Sequence, residues 1–138
     1  MTERYLFRGK RIDKDEWREG HLIIAGDCRA YITQELLRCK DYGFAHLSGW
    51  NEIDSATLGQ CTGLKDQNGK LIFEGDILQD AIAHQFVKQK GVVKWGDEDG
   101  SWLVNWDNEL YLLANLTNKT SVIGNIHDNP ELLEKERV

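Results

Sequence analysis

Between Gln60 and Leu78 the chain reads QCTGLKDQNGKLIFEGDIL, and this stretch constrains the fold more than any other. Asp66-Gln67-Asn68-Gly69 separates Leu64 from the apolar run Leu71-Ile72-Phe73. Asn and Gly tolerate the positive φ that a tight hairpin demands, so Asn68-Gly69 between strand formers predicts a hairpin tip. A second punctuation, Glu74-Gly75-Asp76, hands over to Ile77-Leu78, where another strand is expected. Asn68, Gly69, Gly75 and Asp76 are therefore expected to be structural turn residues.

The same logic extends along the chain. Tyr5 to Lys10 reads as a short strand, Asp13-Lys14-Asp15-Glu16 as a turn, and Trp17 with His21-Leu22-Ile23-Ile24 as the returning strand. Between Cys28 and Arg38 two readings stay open, because Arg29–Thr33 favours a strand and Gln34–Arg38 a helical turn. Further strands are expected at Gln85–Lys88, Gly91–Trp95, Ser101–Trp106, Tyr111–Leu113 and Ser121–Gly124. Short strands separated by Gly, Asp and Asn turns point to a mainly β fold (α+β at most), a small barrel or sandwich of antiparallel strands. One short C-terminal helix is expected: Asn129 can cap it, Pro130 suits its first position and Glu131 complements its dipole.

The 138 residues are enough for one buried core, and 41% hydrophobic residues are too many for a disordered chain. No apolar run approaches the roughly 20 residues of a membrane helix. Charge follows Met1-Thr2 at once, so no secretory signal is expected and the cytoplasm is the expected location. Cys28, Cys39 and Cys61 are odd in number and widely spaced, which reads as reduced thiols rather than a disulfide framework. Charge is uneven: residues 95–138 hold three basic and nine acidic residues, so the entire net charge of −6 sits there. A duplex-binding domain normally shows the opposite sign.

Several segments together resemble the YopX protein family of bacteriophages and prophages. They are Leu6-Phe7-Arg8-Gly9-Lys10-Arg11 with Trp17-Arg18-Glu19-Gly20, then Gly59 to Asp66, Asn68-Gly69-Lys70 and Phe73-Glu74-Gly75-Asp76-Ile77. Gly91-Val92-Val93-Lys94-Trp95 follows, and Ile123 to Leu133 (IGNIHDNPELL) closes the series. Cys61 stands where an aromatic residue is more typical of the family, and Cys28–Gly49 has no clear counterpart. The resemblance implies a small, mainly β protein of phage or prophage origin, and it carries over no catalytic residues. It implies one compact domain over residues 1–138, in which 1–58 can form an N-terminal β subdomain and 59–138 a barrel-like family core.

Chemistry-bearing patterns are sparse. Placed in EF-hand register, Asp66-Gln67-Asn68-Gly69 and Asp97-Glu98-Asp99-Gly100 put Leu64 or Trp95 first and Gly75 or Trp106 twelfth, which cannot ligate calcium. His21, His46, His84 and His127 are far apart and form no His-Glu-x-x-His element. Nucleophile-elbow, phosphate-loop and dinucleotide fingerprints are absent. Glu74 and Asp76 would share a face in a straight strand, but Gly75 favours a turn in which the acids bond amides or meet water. Trp50, Trp95, Trp102 and Trp106 could stack on single-stranded nucleic acid, with Lys88, Lys90 and Lys94 as a small basic patch. Alternation places Trp102, Val104 and Trp106 on one face, which is expected to be core.

These observations lead to three expectations. The first is a non-catalytic phage accessory protein acting through protein contacts, with itself as a homo-oligomer or with a host partner. The second is a nucleic-acid-binding barrel, and the third an enzyme with a dispersed site. No catalytic residue, metal ligand or cofactor is expected.

Overall fold

The computed structural model describes residues 3–34, 49–80, 90–106 and 108–134 and shows a mainly β protein with two antiparallel sheets. The chain divides into two compact units, Met1–Cys61 and Thr62–Val138. The expected helical turn over Gln34–Arg38, the strand at Gln85–Lys88, Cys39, His46 and His84 lie wholly or largely outside the described residues.

In the first unit a 3-10 turn at Glu3–Tyr5 leads into Phe7–Lys10 (β1), Trp17–Ile24 (β2), Ala30–Thr33 (β3) and Trp50–Ile53 (β4). They form an antiparallel meander ordered β4-β3-β2-β1. Beside β1 lies the start of Gly59–Lys65 (β5), with Phe7 opposite Gln60 and Arg8 opposite Gly59. One face of the meander is buried through Gly9, Gly20, Ala30, Ile32 and Ile53. Gly9 is required by close approach, because a Cβ there would collide with the Ile53 side chain. At one end the sheet curls: Arg11 bridges Ile53, Ile12 N–H donates to Glu52 O at 3.2 Å and Asp54 N–H to Lys10 O at 2.8 Å. A 3-10 turn at Ser55–Thr57 seals that end, its Thr57 hydroxyl accepting from Lys10 N–H at 2.8 Å.

In the second unit the rest of β5 forms a hairpin with Leu71–Phe73 (β6). Asp76–Asp80 (β7), Lys90–Gly96 (β8), Ser101–Trp106 (β9), Glu109–Leu112 (β10) and Thr120–Asn125 (β11) make a sheet ordered β10-β9-β8-β7-β11. The core cluster comprises Ile72, Leu78, Val93, Val104, Trp106 and Leu113, with Leu64, Trp102, Leu116 and Val122 packed against it. Val104 and Trp106 are buried and Trp102 is half-buried, so this face of β9 is core, as the alternation indicates.

The structure narrows two expectations, taking the unclosed alternative to a barrel and a 3-10 form of the short C-terminal helix. Among the described residues neither sheet closes into a barrel. Closure requires two edge strands to bond along their length with matched tilt and stagger, whereas β4 reaches the end of β1 through a single bridge. The C-terminal helix is one 3-10 turn, Pro130–Leu133, and the Asn129 side chain caps none of its amides. Asn125 takes the capping chemistry instead. Its Oδ1 accepts from His127 N–H at 3.0 Å and Asp128 N–H at 2.9 Å, while Asn129 Oδ1 turns back to accept from Asn125 N–H at 3.3 Å. The chain is thereby bent into a polar turn before Pro130.

Candidate functional site

The turn residues read from the sequence converge on structure rather than chemistry. Asp66, 6% exposed, binds three backbone amides: Oδ1 accepts from Asn68 N–H at 2.8 Å and Lys70 N–H at 2.9 Å, and Oδ2 from Val122 N–H at 2.9 Å. Burial alone would raise this carboxyl's pKa. The amides of Val122, Lys70 and Asn68, with the Lys70 charge, outweigh burial and hold it below the ordinary carboxylate value. Gly69 sits at the tip with φ +83°. The tip is fastened to β11, with Gln67 N–H donating to Thr120 O at 3.0 Å and Gln67 Nε2 to Ser121 Oγ at 2.7 Å.

Asp76 is 1% exposed, and its Oδ2 accepts from Phe73 N–H at 2.7 Å, closing the β6–β7 turn. Gly75, with φ +89°, donates its N–H to Val93 O at 2.9 Å and accepts from Ile126 N–H at 2.9 Å. No group of three His, Cys, Asp or Glu among the described residues could hold a metal ion. A shallow concavity beside Lys10–Asp15 and Asp54 is lined by charges engaged with one another: Lys10 with Asp15 at 2.7 Å, and Arg11 with Asp13 at 2.7 Å.

What stands out is the edge of the second sheet. Every residue of β10 is exposed, with Leu110 at 53%, Tyr111 at 44% and Leu112 at 48%. Trp106 and Glu109 flank a two-residue turn in which Asn108 takes φ +66°. In such a hairpin the flanking residues form the hydrogen-bonded pair and pairs then alternate. Glu109 and Tyr111 therefore bond β9, while the N–H and C=O of Leu110 and the N–H of Leu112 face outward; the C=O of Leu112 opens the 3-10 turn Leu113–Asn115. Register puts Tyr111 opposite Val104 on the core face, and Leu110 and Leu112 opposite Asn105 and Leu103 on the other. Apolar side chains thus flank, on both sides, an edge that no other strand among the described residues pairs. The opposite edge is guarded, since the Asp66–Asn68 turn bonds Thr120, Ser121 and Val122 of β11. Unguarded apolar edges invite strand addition.

The sequence placed a strand at Tyr111–Leu113 without indicating its exposure. Leu110 to Leu113 is uniformly apolar, so period-two alternation says nothing about what is buried. Only Leu113, in the following 3-10 turn, enters the core. The Asp66 anchor was also missed; its signal is an acid three residues before the tip glycine, which suits an Asx-type turn.

The YopX protein family model matches residues 6–134. This chain belongs to the YopX protein family. Among solved structures, this YopX-family chain is similar to protein EF1440 from Enterococcus faecalis. Identity there is 27%, the TM-score is 0.61, and 93% of this chain and 96% of that one are covered. It also shares the fold of protein yopX from Bacillus subtilis at 19% identity and TM-score 0.61, covering 99% of this chain and all of that one. No curated protein matches the chain.

Proposed function

We propose that this YopX-family chain is a phage or prophage accessory protein that acts in the bacterial cytoplasm by protein–protein contact, without catalysis. The observation that carries this reading is β10, an edge strand that no other strand among the described residues pairs on its outer side, with apolar side chains flanking it. Binding by β-augmentation uses such an edge, with main-chain bonds supplying affinity and alternate side chains supplying specificity. The phage origin draws on the family resemblance. The remaining acids read in the sequence support the same view, because Asp66 and Asp76 are engaged with turn amides. Nucleic-acid stacking is less well supported: Trp106 is in the core, Trp102 packs against it, and Trp95 is 41% exposed beside the acidic turn 97–99.

The test is photo-crosslinking in a bacterial host, with a photoreactive residue at Leu112 and a control at Ile24, which is equally apolar and 57% exposed. A discrete adduct from position 112 and none from position 24 is the expected result. Equal adducts from both, or none from 112, would contradict the reading.

A further inference from the structure

We propose that Asn68 is a site of spontaneous deamidation, and that the β5–β6 tip is a one-way latch which this modification releases from β11. The inference goes beyond the contact edge and uses none of its residues. Asn68 and Gly69 are both exposed at the hairpin tip. A glycine after an asparagine has no side chain to crowd its nitrogen, which is therefore free to approach the Asn amide. The space around Gly69 is open as well, since a Cβ there would meet nothing within 4 Å. In the reaction the Gly69 amide gives its proton to water, and its nitrogen bonds Asn68 Cγ. The Cγ–Nδ2 bond breaks, Nδ2 takes up a proton and leaves as ammonia, and a cyclic imide remains. Water then opens that ring at either carbonyl, leaving aspartate or isoaspartate at position 68.

The native tip opposes these steps. Gly69 N–H donates to Asp66 O at 3.0 Å, and an amide held in this way gives up its proton chiefly when the structure opens locally. Asn68 Nδ2 donates to Ser121 Oγ at 3.1 Å and Asn68 N–H to Asp66 Oδ1 at 2.8 Å, which pins side chain and backbone together. Gln67 Nε2 meets the same Ser121 Oγ at 2.7 Å, so one hydroxyl on β11 catches two side chains of the tip. Modification therefore waits for opening, and its product resists closing. Isoaspartate routes the main chain through the former side chain and adds a carbon between the Cα of residue 68 and the Gly69 nitrogen. The turn has no slack for it, because Asp66 N–H bonds Lys70 O at 2.8 Å and Asp66 Oδ1 bonds Lys70 N–H at 2.9 Å across the same residues. Aspartate keeps the chain length but loses the Nδ2 donor and sets a second carboxylate two residues from Asp66. Either product loosens the hold of Asp66 and Gln67 on β11.

The experiment incubates the purified chain at mildly alkaline pH beside a free peptide of residues 65–71. Digests are read by mass spectrometry that separates aspartate from isoaspartate at position 68. The peptide should convert, and the folded chain should convert roughly 10-fold or more slowly, because only open tips react. Ser121→Ala removes both side-chain catches and should speed conversion of the folded chain roughly 5-fold. Gln67→Ala removes one catch and should act in the same direction, which covers the case in which Ser121→Ala does not fold. In the isolated modified chain the Val122 amide, bonded to Asp66 Oδ2 at 2.9 Å in the native one, should exchange faster with solvent. Conversion of the folded chain at the peptide's rate, or a rate that neither variant moves, would overturn the latch. A peptide that leaves position 68 intact would remove the site itself. Unchanged Val122 exchange after modification would show that the tip stays fastened to β11, which also contradicts the proposal.

Discussion

Asp66 shows how one carboxylate can hold a fold together. Two oxygens satisfy three amides, two inside the β5–β6 turn and one on β11. Asp66→Ala leaves those donors without their charged acceptor and should lower stability by about 3 kcal/mol, measured by urea denaturation. The pH dependence follows from the sign of the shift. Because the folded carboxyl is held below its ordinary value, its stabilisation is complete above the unfolded pKa of about 3.9. It is then lost as pH falls through the lower folded value. Thermal melts from neutral pH downward should show this acid-side loss in the native chain, and Asp66→Asn should lack that contribution. Gly69 isolates a different effect. A Cβ there meets nothing within 4 Å, yet φ is +83°, so Gly69→Val is penalised by backbone strain alone. The expected loss is on the order of 1–3 kcal/mol, and an unchanged melting temperature would contradict it.

At the scale of elements, the two edges of the second sheet behave oppositely, and one substitution separates stability from contact. Leu112 has φ −67°, close to the value proline imposes, and its N–H points away from β9. Leu112→Pro should therefore change stability by no more than about 1 kcal/mol while removing the adduct formed from a photoreactive residue placed at Leu110. A cooperative loss of structure would instead mean that the N–H is bonded within the sheet. Much of the strand set was legible beforehand, because Asn68-Gly69, Glu74-Gly75-Asp76 and Gly96–Gly100 punctuate it with residues of known turn chemistry. Closure was not legible, since it depends on which edges meet. Nor was the C-terminal turn: Pro130 and Glu131 carry a helix-start signature, while Asn125, four residues before Asn129, competes for the local amides. The exposure of β10 was hidden for a further reason, because its apolar run has the composition of a core strand.

For the whole molecule, charge and the open edge together define what it can approach. Residues 95–138 carry the entire net −6, and duplex binding draws most of its affinity from cation–phosphate contacts. Titration with mixed duplexes at physiological salt should therefore show no appreciable binding; submicromolar affinity with a steep salt dependence would reverse this. The central claim, that β10 presents an open edge able to take an added strand, is tested most directly by amide hydrogen exchange resolved along β10. In the free protein the amides of Leu110 and Leu112 should exchange fast and that of Tyr111 slowly, because Tyr111 alone of these three bonds β9. With a saturating extended peptide of alternating Thr and Val, Leu110 and Leu112 should become protected while the amides of β11 stay unchanged. Slow exchange at Leu110 and Leu112 before any peptide is added, or protection appearing elsewhere instead, would contradict the account.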